Sequence, residues 1–451
     1  MDIESGRKLI KDRNFREAEL FFLNLLKNGN KNINAYFFLG LIYFELGSIK
    51  KSISYYNKCL KQNPNSLSVL LNLAYAYQSI GEINSAKKIY LKIIISNKYN
   101  IRSYYGLFSI NPKFLNASHY LNISKAIKNT KINLYEKGLA NFLLSKMEKE
   151  KKNYKLEIKY LENFHFNSFM SNNQSNVESQ IYYKNIIPRY FNKIKFTNFD
   201  NSLNFKKFSP IFIIGLPRSG STLVESIIRS GKENIKSCGE SAIINMAIVN
   251  QLEKKIFKEN FNFDDYELII DYKLFQNFVI KKYNQLNVFK DQKFIFIDKS
   301  LENFLNIELI LKIFPKAKFL HCKRNLKDSI LAIYQSMLSN LSWTHNIKDI
   351  LNYVENYINI INYFKRNYPD KILDINLEDL TNHKEKTAKK IYYFCDFSWD
   401  KKSLEFYKRK DLDIRTLSNF QIRSEINNYD KKKYENYEFL LESYKNKYSW
   451  V

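Results

Sequence analysis

The sequence predicts two domains, an N-terminal all-α superhelix of helical hairpins and a C-terminal α/β domain with a parallel sheet. Three observations predict this fold class. The chain has 451 residues, too many for a single hydrophobic core. Its first third repeats itself with a period of about 34 residues, and its second half alternates short apolar runs with helical stretches. We expect the helical repeats at 1–170, a linker at 171–205 and the α/β domain at 206–451.

Composition narrows the class of protein. Hydrophobic residues make up 45% of the chain and aromatic residues 16%, which excludes a largely disordered chain. No apolar run is long enough to span a membrane, and the N-terminus lacks the basic-then-apolar order of a signal peptide, so we expect a cytoplasmic protein. Cys59, Cys238, Cys322 and Cys395 lie far apart without zinc-site spacing, and we expect buried free thiols.

The net charge of +27 results from 72 Lys and Arg against 45 Asp and Glu. Such a surface favours nucleic acid, anionic lipid or an acidic substrate. The lysines are spread along the whole chain, which is typical of a solvated surface and of a general compositional bias. We therefore expect no nucleic-acid partner, and charge alone identifies no other.

The N-terminal repeats place small and large residues at fixed positions. A shift of about 34 residues superimposes Gly40 on Ala74 and Ser52 on Ala86, small residues that let two helices of a hairpin approach closely. Large residues fill the space between hairpins, and glycines form the turns. The further equivalent pairs are Leu39 and Leu73, Tyr43 and Tyr77, Gly47 and Gly81, and Tyr56 and Tyr90.

This pattern resembles the tetratricopeptide repeat over about residues 1–110. An irregular fourth hairpin is expected from near Tyr104, and a degenerate helical pair at about 132–166. Stacked hairpins form a concave face suited to a peptide or a protein partner. The alternative is that the repeats only dock on the chain's own C-terminal domain.

A phosphate-binding loop is predicted at the start of the α/β domain. Residues 210–214 form an apolar run that is typical of a buried parallel strand, and Gly215-Leu-Pro-Arg-Ser-Gly-Ser-Thr222 follows it. Backbone N–H groups of such a loop, together with a helix N-terminus, bind phosphate. Ser221 stands where a nucleotide hydrolase carries Lys, which argues against ATP or GTP hydrolysis, while Arg218 provides a cation for a smaller anion.

Further strands are expected at 293–297, 317–321 and 371–375, with helices at Leu301–Ile313 and Asp328–Leu338.

The string Pro-Arg-Ser-Gly-Ser-Thr-Leu-Val-Glu (217–225) resembles the 5′-phosphosulfate loop of sulfotransferases that use 3′-phosphoadenosine 5′-phosphosulfate (PAPS). The likeness is strongest to bacterial proteins that join tetratricopeptide repeats to a P-loop-like sulfotransferase domain, and it extends to tyrosylprotein sulfotransferases. It covers most of 206–440. Four further segments match in order: Cys238-Gly239-Glu240, Asp298-Lys299, the strand Ile313 to Arg324, and Arg415 to Arg423.

The resemblance implies a PAPS-dependent sulfotransferase that moves a sulfuryl group to a hydroxyl of a peptide, protein or glycan and releases 3′-phosphoadenosine 5′-phosphate (PAP). It implies that Glu240 is the general base and that Lys299 stabilises the leaving group and the transition state. No metal is expected, because no His, Cys or carboxylate cluster suggests one. Donor binding is implied for Arg218, Ser219, Gly220, Ser221 and Thr222 at the 5′-phosphate and for Arg324 at the 3′-phosphate.

Two departures from the family pattern concern the donor site. Ala332 stands where family members carry Ser, and Ser329 or Ser336 are candidates to replace it. Asp430 adds negative charge beside a polyanion, with three lysines at 431–433 available to offset it.

Three alternatives remain open. The first is a non-catalytic repeat scaffold with a degenerate nucleotide-binding domain. The second is a kinase, which would need the missing loop Lys. The third makes His321 the base, although a lone His in apolar surroundings more often belongs to the core.

Overall fold

The computed structural model describes residues 3–27, 31–128, 132–198, 205, 207–232, 235–258, 260–289, 294–409, 422 and 424–450. Within them the chain divides into two compact units. The first contains the described residues up to Tyr160, Asn284–Asn287 and those of 408–424; the second contains the others.

The first unit is a series of helices in which each of α1 to α8 packs against the next. The first helices of successive hairpins also contact one another, α1 with α3, α3 with α5 and α5 with α7, as stacking of repeats requires. The helices are α1 (Ile3–Lys11), α2 (Phe15–Leu25), α3 (Ile33–Glu45), α4 (Ile49–Gln62), α5 (Leu67–Ser79), α6 (Ile83–Ser96), α7 (Ile101–Ile110), α8 (Ala117–Ile127), α9 (Leu134–Glu150) and the start of α10 (Tyr154–Met170).

The predicted close approach within a hairpin is confirmed at Gly40. A Cβ at this position of α3 would collide with the ring of Tyr56 on α4, so only glycine allows the two helices to pack at this distance. Ser52 Oγ donates to the carbonyl oxygen of Gly40 at 2.7 Å across the same contact. The irregular fourth hairpin is formed by α7 and α8, against which α9 packs.

The second unit contains two parallel sheets. The smaller pairs β1 (Lys195–Thr197) with β4 (Ile269–Asp271). The larger has the order β3-β5-β2-β6-β7, with β3 (Lys236–Ser237), β5 (Phe296–Asp298), β2 (Ile211–Gly215), β6 (Lys318–Lys323) and β7 (Ile372–Asn376). Each predicted strand is therefore present within a few residues of its expected bounds.

Helices cover the sheets and connect the strands. They are α11 (Asn173–Ile181), α12 (Ile187–Tyr190), α13 (Ser221–Gly231), α14 (Ile243–Val249), α15 (Tyr272–Gln285), α16 (Ile307–Ile313), α17 (Leu326–Tyr334), α18 (Ile347–Asn367), α19 (Leu377–Asn382) and α20 (Lys384–Phe394). Short 3-10 helices include Leu301–Asn306, Ser342–Thr344, Lys401–Lys408 and Glu435–Leu440.

The segment predicted as a linker, 171–205, is not simply extended chain. Its described part contains α11, a π-helical turn at Tyr182–Ile186, α12 and β1. The second unit begins at Leu161, inside α10. Apolar side chains such as Ile181 and Ile187 are buried there, although the polar residues around them give a weak pattern in the sequence.

The strand register brings three chain segments to one edge of the larger sheet. Gly215 at the end of β2 lies opposite Cys322 of β6, and β5 ends at Asp298 on the other side of β2. Because all these strands are parallel, their carboxyl ends meet at the same edge, where α/β sheets bind ligands. All four cysteines are buried free thiols, as expected. None of the described helices is long and apolar enough to cross a membrane.

Candidate active site

The Gly-rich loop between β2 and α13 depends on backbone conformations that most residues avoid. Gly215 has φ +138°, and a Cβ there would collide with the carbonyl oxygen of Cys322. Gly220 has φ +88°, and a Cβ there would lie 2.7 Å from Cδ1 of Leu377. Arg218 has φ +68°, which costs a non-glycine residue on the order of 1–3 kcal/mol. The turn leads directly into the N-terminus of α13, where N–H groups and partial positive charge attract phosphate.

Three hydroxyl side chains lie at this N-terminus. Ser219, Ser221 and Thr222 are all buried. Ser219 Oγ donates to the carbonyl oxygen of Leu216 at 2.7 Å, so its hydroxyl hydrogen holds the loop itself.

The amino group of Lys299 lies between two carboxylates. Its Nζ is 2.6 Å from Oε1 of Glu240 and 3.9 Å from Oε2 of Glu225. The Lys299 side chain is fully buried, whereas that of Glu240 is 58% exposed. Burial by itself lowers the pKa of Lys299, but the charges of Glu240 and Glu225 outweigh it and the pKa is raised. Lys299 is thus a permanent cation beside a carboxylate that solvent can reach.

Buried Asp298 fixes the segment that carries Glu240. Its carboxylate accepts hydrogen bonds from Ser241 Oγ at 2.7 Å, the Tyr283 hydroxyl at 2.8 Å and the Ser300 backbone N–H at 2.8 Å. The Lys299 N–H donates to the carbonyl oxygen of Gly239 at 2.9 Å. The end of β5 and residues 239–241 are therefore tied together on both sides of the ion pair.

Glu225 is a further residue of the site, to which the sequence pattern assigned no role. It lies on α13, one turn beyond the Gly-rich loop, and is buried. Oε1 accepts from Ser237 Oγ at 2.5 Å and lies 3.7 Å from Arg229 Nη1, while Oε2 faces Lys299. A carboxylate flanked by Leu223, Val224, Ile227 and Ile228 on one buried helix was the available signal.

Arg324 lies just beyond β6 and is enclosed by the C-terminal segment. Its side chain is 7% exposed, and Nε donates to the hydroxyl of Tyr429 at 2.8 Å. Nη1 is 3.5 Å from the carbonyl oxygen of Arg218, which joins this residue to the Gly-rich loop. Nη2 is 3.5 Å from Oδ2 of Asp328, the i, i+4 pair. The exposed Asp430 accepts the Lys432 backbone N–H at 3.0 Å.

The hydroxyls proposed to replace the missing Ser at 332 are used elsewhere. Ser329 Oγ donates to the carbonyl oxygen of Asn325 at 2.9 Å, and Ser336 Oγ donates to that of Ala332 at 2.6 Å. In both bonds the hydroxyl donates to the backbone carbonyl oxygen four residues earlier in the chain.

His321 is a core residue rather than a rival base. It is buried on β6, with Nδ1 2.7 Å from Asp374 Oδ1 and Nε2 against the Tyr357 hydroxyl. Burial lowers the pKa of His321, and its two nitrogens are both occupied. Lys365 and Lys323 complete the ion pairs of Asp374 at 2.6 and 3.2 Å.

The matching stretch Arg415–Arg423 lies outside the described residues, apart from Ile422. Among the residues that the structure describes, no group of three or more His, Cys, Asp or Glu side chains could hold a metal ion.

The described structure contains a parallel α/β domain with a Gly-rich loop between β2 and α13, preceded in the chain by helical repeats. The sulfotransferase family model matches residues 210–401, and the tetratricopeptide repeat model matches 33–66 and 67–95. Residues 210–401 therefore form a sulfotransferase-family domain, and tetratricopeptide repeats precede it. The predicted architecture is confirmed, while the resemblance to tyrosylprotein sulfotransferases stays a prediction.

Two curated relatives that match the chain carry the name uncharacterized protein. A protein of Aquifex aeolicus (strain VF5) is 25% identical over 400 residues, covering 84% of this chain and 50% of that protein. The ycf37 protein of Pyropia yezoensis is 34% identical over 88 residues, 20% of this chain and 47% of that protein. The chain thus spans about half the length of the curated relatives it matches.

Two solved structures are similar in part. Sulfotransferase STF1 from Mycobacterium tuberculosis H37Rv is 9% identical, with 68% of this chain and 95% of that chain covered and a TM-score of 0.30. Sulfotransferase STF9 from Mycobacterium avium is 10% identical, with 73% and 95% covered and a TM-score of 0.29. Scores of this size support no conclusion about this chain.

Proposed function

We propose that the chain is a PAPS-dependent sulfotransferase that transfers a sulfuryl group to a hydroxyl acceptor. The observation that carries the proposal is the ion pair of Glu240 and buried Lys299 at 2.6 Å, at the same sheet edge as the Gly-rich loop. The donor set fits a nucleotide with two phosphate positions, because Arg218 and Arg324 lie at the loop and beyond β6.

In this proposal the 5′-phosphate and the 3′-phosphate of the donor are bound by different residues. The backbone N–H groups of Ser219 to Thr222, the Ser221 and Thr222 hydroxyls and the Arg218 side chain hold the 5′-phosphate. Arg324 holds the 3′-phosphate, which ATP and 5′-AMP lack. Ser219 contributes through its N–H alone, since its hydroxyl hydrogen is bonded to Leu216.

Glu240 accepts the proton of the acceptor hydroxyl as the new oxygen–sulfur bond forms. The bond between sulfur and the bridging oxygen of the 5′-phosphate breaks at the same time, and PAP leaves. General-base catalysis of this kind contributes about 10²–10⁴-fold. The exposure of Glu240 suits contact with an incoming acceptor.

Lys299 stabilises the charge that develops on the bridging oxygen and the departing phosphate. When Glu240 takes the proton it becomes neutral, so its attraction for Lys299 falls. Glu225 then holds the ammonium charge in place, because its Oε2 lies 3.9 Å from Nζ. Lys299 can turn its hydrogens toward the leaving oxygen without becoming an unpaired buried charge.

The acceptor class is a peptide, protein or glycan hydroxyl, with the repeats as a surface for a protein partner. The alternative is a non-catalytic scaffold with a degenerate nucleotide domain. The intact pair of Glu240 and Lys299 favours the enzyme, because a scaffold has no need to bury a lysine beside two carboxylates.

The test is calorimetric titration of the purified chain with PAP, with ATP and 5′-AMP as controls. Micromolar binding that requires the 3′-phosphate, and that is lost in Arg324→Ala but kept in the exposed control Arg366→Ala, supports the proposal. Absence of PAP binding by a chain with a cooperative thermal transition would overturn it in favour of the scaffold.

A further inference from the structure

We propose that Glu302 is a positioning residue, which holds the segment that carries Glu240 in place against Lys299. This inference rests on the proposed function and adds a residue that acts on the general base without contacting the donor or the acceptor. Glu302 lies three positions beyond Lys299, in the 3-10 helix Leu301–Asn306. The sequence pattern assigned it no role.

The backbone around Glu240 is strained. Gly239 has φ +58° and Ala242 has φ +54°, in the left-handed region, where the Cβ of alanine lies too close to the following carbonyl oxygen. Such a conformation persists only where neighbouring contacts hold it. The Ala242 N–H donates to Ser300 Oγ at 2.8 Å, next to the contacts of 239–241 with the end of β5. Beyond Ala242 the chain enters α14, so a contact that fixes the start of this helix also fixes the turn.

Asn245, in the first turn of α14, is the residue that Glu302 holds. Its Nδ2 donates to Oε2 of Glu302 at 3.1 Å, and its Oδ1 accepts from Asn306 Nδ2 at 2.6 Å. Both partners belong to the 3-10 helix that follows Lys299. The proposed base and the buried lysine are thus connected twice, directly through their ion pair and indirectly through α14 and this 3-10 helix.

The carboxylate of Glu302 accepts hydrogen bonds from neutral groups. Besides the Asn245 amide, the Tyr183 hydroxyl donates to Oε2 at 2.5 Å, and the Tyr353 hydroxyl lies 3.5 Å from Oε1. Burial raises the pKa of Glu302, against the opposite effect of these hydrogen bonds. A carboxylate in such surroundings adds little stability, since an apolar side chain of similar volume avoids the cost of desolvation. Its contribution is therefore to the orientation of α14.

The experiment is a double-mutant cycle at the contact of Asn245 with Glu302. Asn245→Asp places two carboxylates side by side, and transfer falls about tenfold because the like charges push α14 away. Glu302→Gln keeps the shape of the side chain but weakens the acceptor, and transfer falls about threefold. With both substitutions a carboxylate–amide bond forms in the reverse direction, and transfer stays within about threefold of the native rate. Independent effects would multiply to about thirtyfold.

Transfer is measured as PAP released from PAPS, with a panel of tyrosine peptides and oligosaccharides as acceptors. PAP affinity, measured by calorimetry, stays within about twofold of the native value, because neither side chain contacts the donor.

Hydrogen exchange of the backbone amides, followed by mass spectrometry, reports on the same cycle without an acceptor. Exchange in 238–246 becomes faster in each single variant and returns toward the native rate in the double variant, while exchange in 211–225 is unchanged. Glu308→Gln, at a solvent-accessible glutamate of α16, is the control and changes neither transfer nor exchange.

Losses of transfer that multiply in the double variant overturn the inference, as does exchange in 238–246 that no substitution alters. A parallel loss of PAP affinity also overturns it, because that indicates general destabilisation. Thermal unfolding verifies that each variant is folded. A native chain that binds no PAP, or releases none from PAPS, contradicts the proposed function instead, and hydrogen exchange then still decides whether Glu302 holds the segment 238–246.

Discussion

At the residue scale, the buried amino group of Lys299 requires the two carboxylates beside it, Glu240 and Glu225. A buried ammonium group costs several kcal/mol unless it is paired, and here both Glu240 and Glu225 pair it. The two carboxylates are not equivalent, because Glu225 is buried with its own donors whereas Glu240 is mostly exposed. In the proposed mechanism this difference is the reason that Glu240 receives the acceptor proton and Glu225 positions Lys299.

Glu240→Gln removes the proposed base but preserves the shape of the side chain. Sulfuryl transfer falls about 10²–10⁴-fold, while PAP affinity stays within about twofold of the native value. Transfer is measured from PAPS to whichever member of a panel of tyrosine peptides and oligosaccharides the native chain sulfates. Glu253→Gln, at another exposed glutamate, keeps full transfer; full transfer by Glu240→Gln would remove the base from the mechanism.

His345 gives the second unit a predictable sensitivity to acid. It lies 3.4 Å from His165, Nδ1 to Nδ1, and burial lowers its pKa from 6.5 to about 4. As pH falls from about 6.5 to 4, His345 binds a proton in the unfolded chain but stays mostly neutral in the folded chain. The free energy of unfolding therefore falls by about 3 kcal/mol.

His345→Asn removes this titration. Urea unfolding at several pH values between 4 and 7 then gives a shallower loss of stability in the variant than in the native chain. The exposed His383→Asn serves as the control with the native slope. Equal slopes for native chain and His345→Asn would show that this histidine does not cause the acid sensitivity.

At the scale of elements, β2, the Gly-rich loop and α13 act as one unit. The strand places Gly215 against Cys322 of β6, the loop turns through Arg218 and Gly220, and the helix then carries Glu225 to Lys299. A shift of this helix would move the proposed phosphate ligands and Glu225, the partner of Lys299, together.

Gly215→Ala tests the close contact between β2 and β6 at Cys322. The new Cβ would collide with a backbone oxygen of β6 at a φ that alanine avoids, so the free energy of unfolding falls by at least about 2 kcal/mol. Ser209→Ala, just before the same strand, stays within about 0.5 kcal/mol. Chemical denaturation measures both, and a Gly215→Ala chain as stable as the control would contradict the contact.

At the scale of the whole molecule, the net charge of +27 affects how anions approach. If the chain binds PAP as proposed, the summed field attracts this polyanion in addition to Arg218 and Arg324. This attraction is general, which is consistent with lysines spread along the whole sequence.

Salt dependence separates this general field from specific contacts. Raising the NaCl concentration from about 0.05 to 0.3 M weakens PAP binding several-fold, whereas binding of uncharged adenosine changes little. Calorimetry at a series of salt concentrations measures both. A PAP affinity independent of salt would mean that neither the field nor the arginines attract the phosphates.

The sequence alone determined the architecture. Repeats of about 34 residues and apolar runs of strand length are local patterns, because the spacing of apolar residues along the chain follows the period of a helix or a strand. The Gly-rich loop was equally visible, since its glycines are required by its own backbone.

Only the tertiary structure decided how the site is assembled. Glu225, Asp298 and Tyr429 each contact residues that are distant along the chain. Tyr283 and Asp298 are 15 positions apart, and Arg324 and Tyr429 are 105 positions apart. The likewise unforeseen helices of 171–205 are stabilised by burial against distant elements of their own unit. These distant contacts depend on which strands end at the same edge of the sheet. No local pattern in the sequence predicts the order of the strands in the sheet.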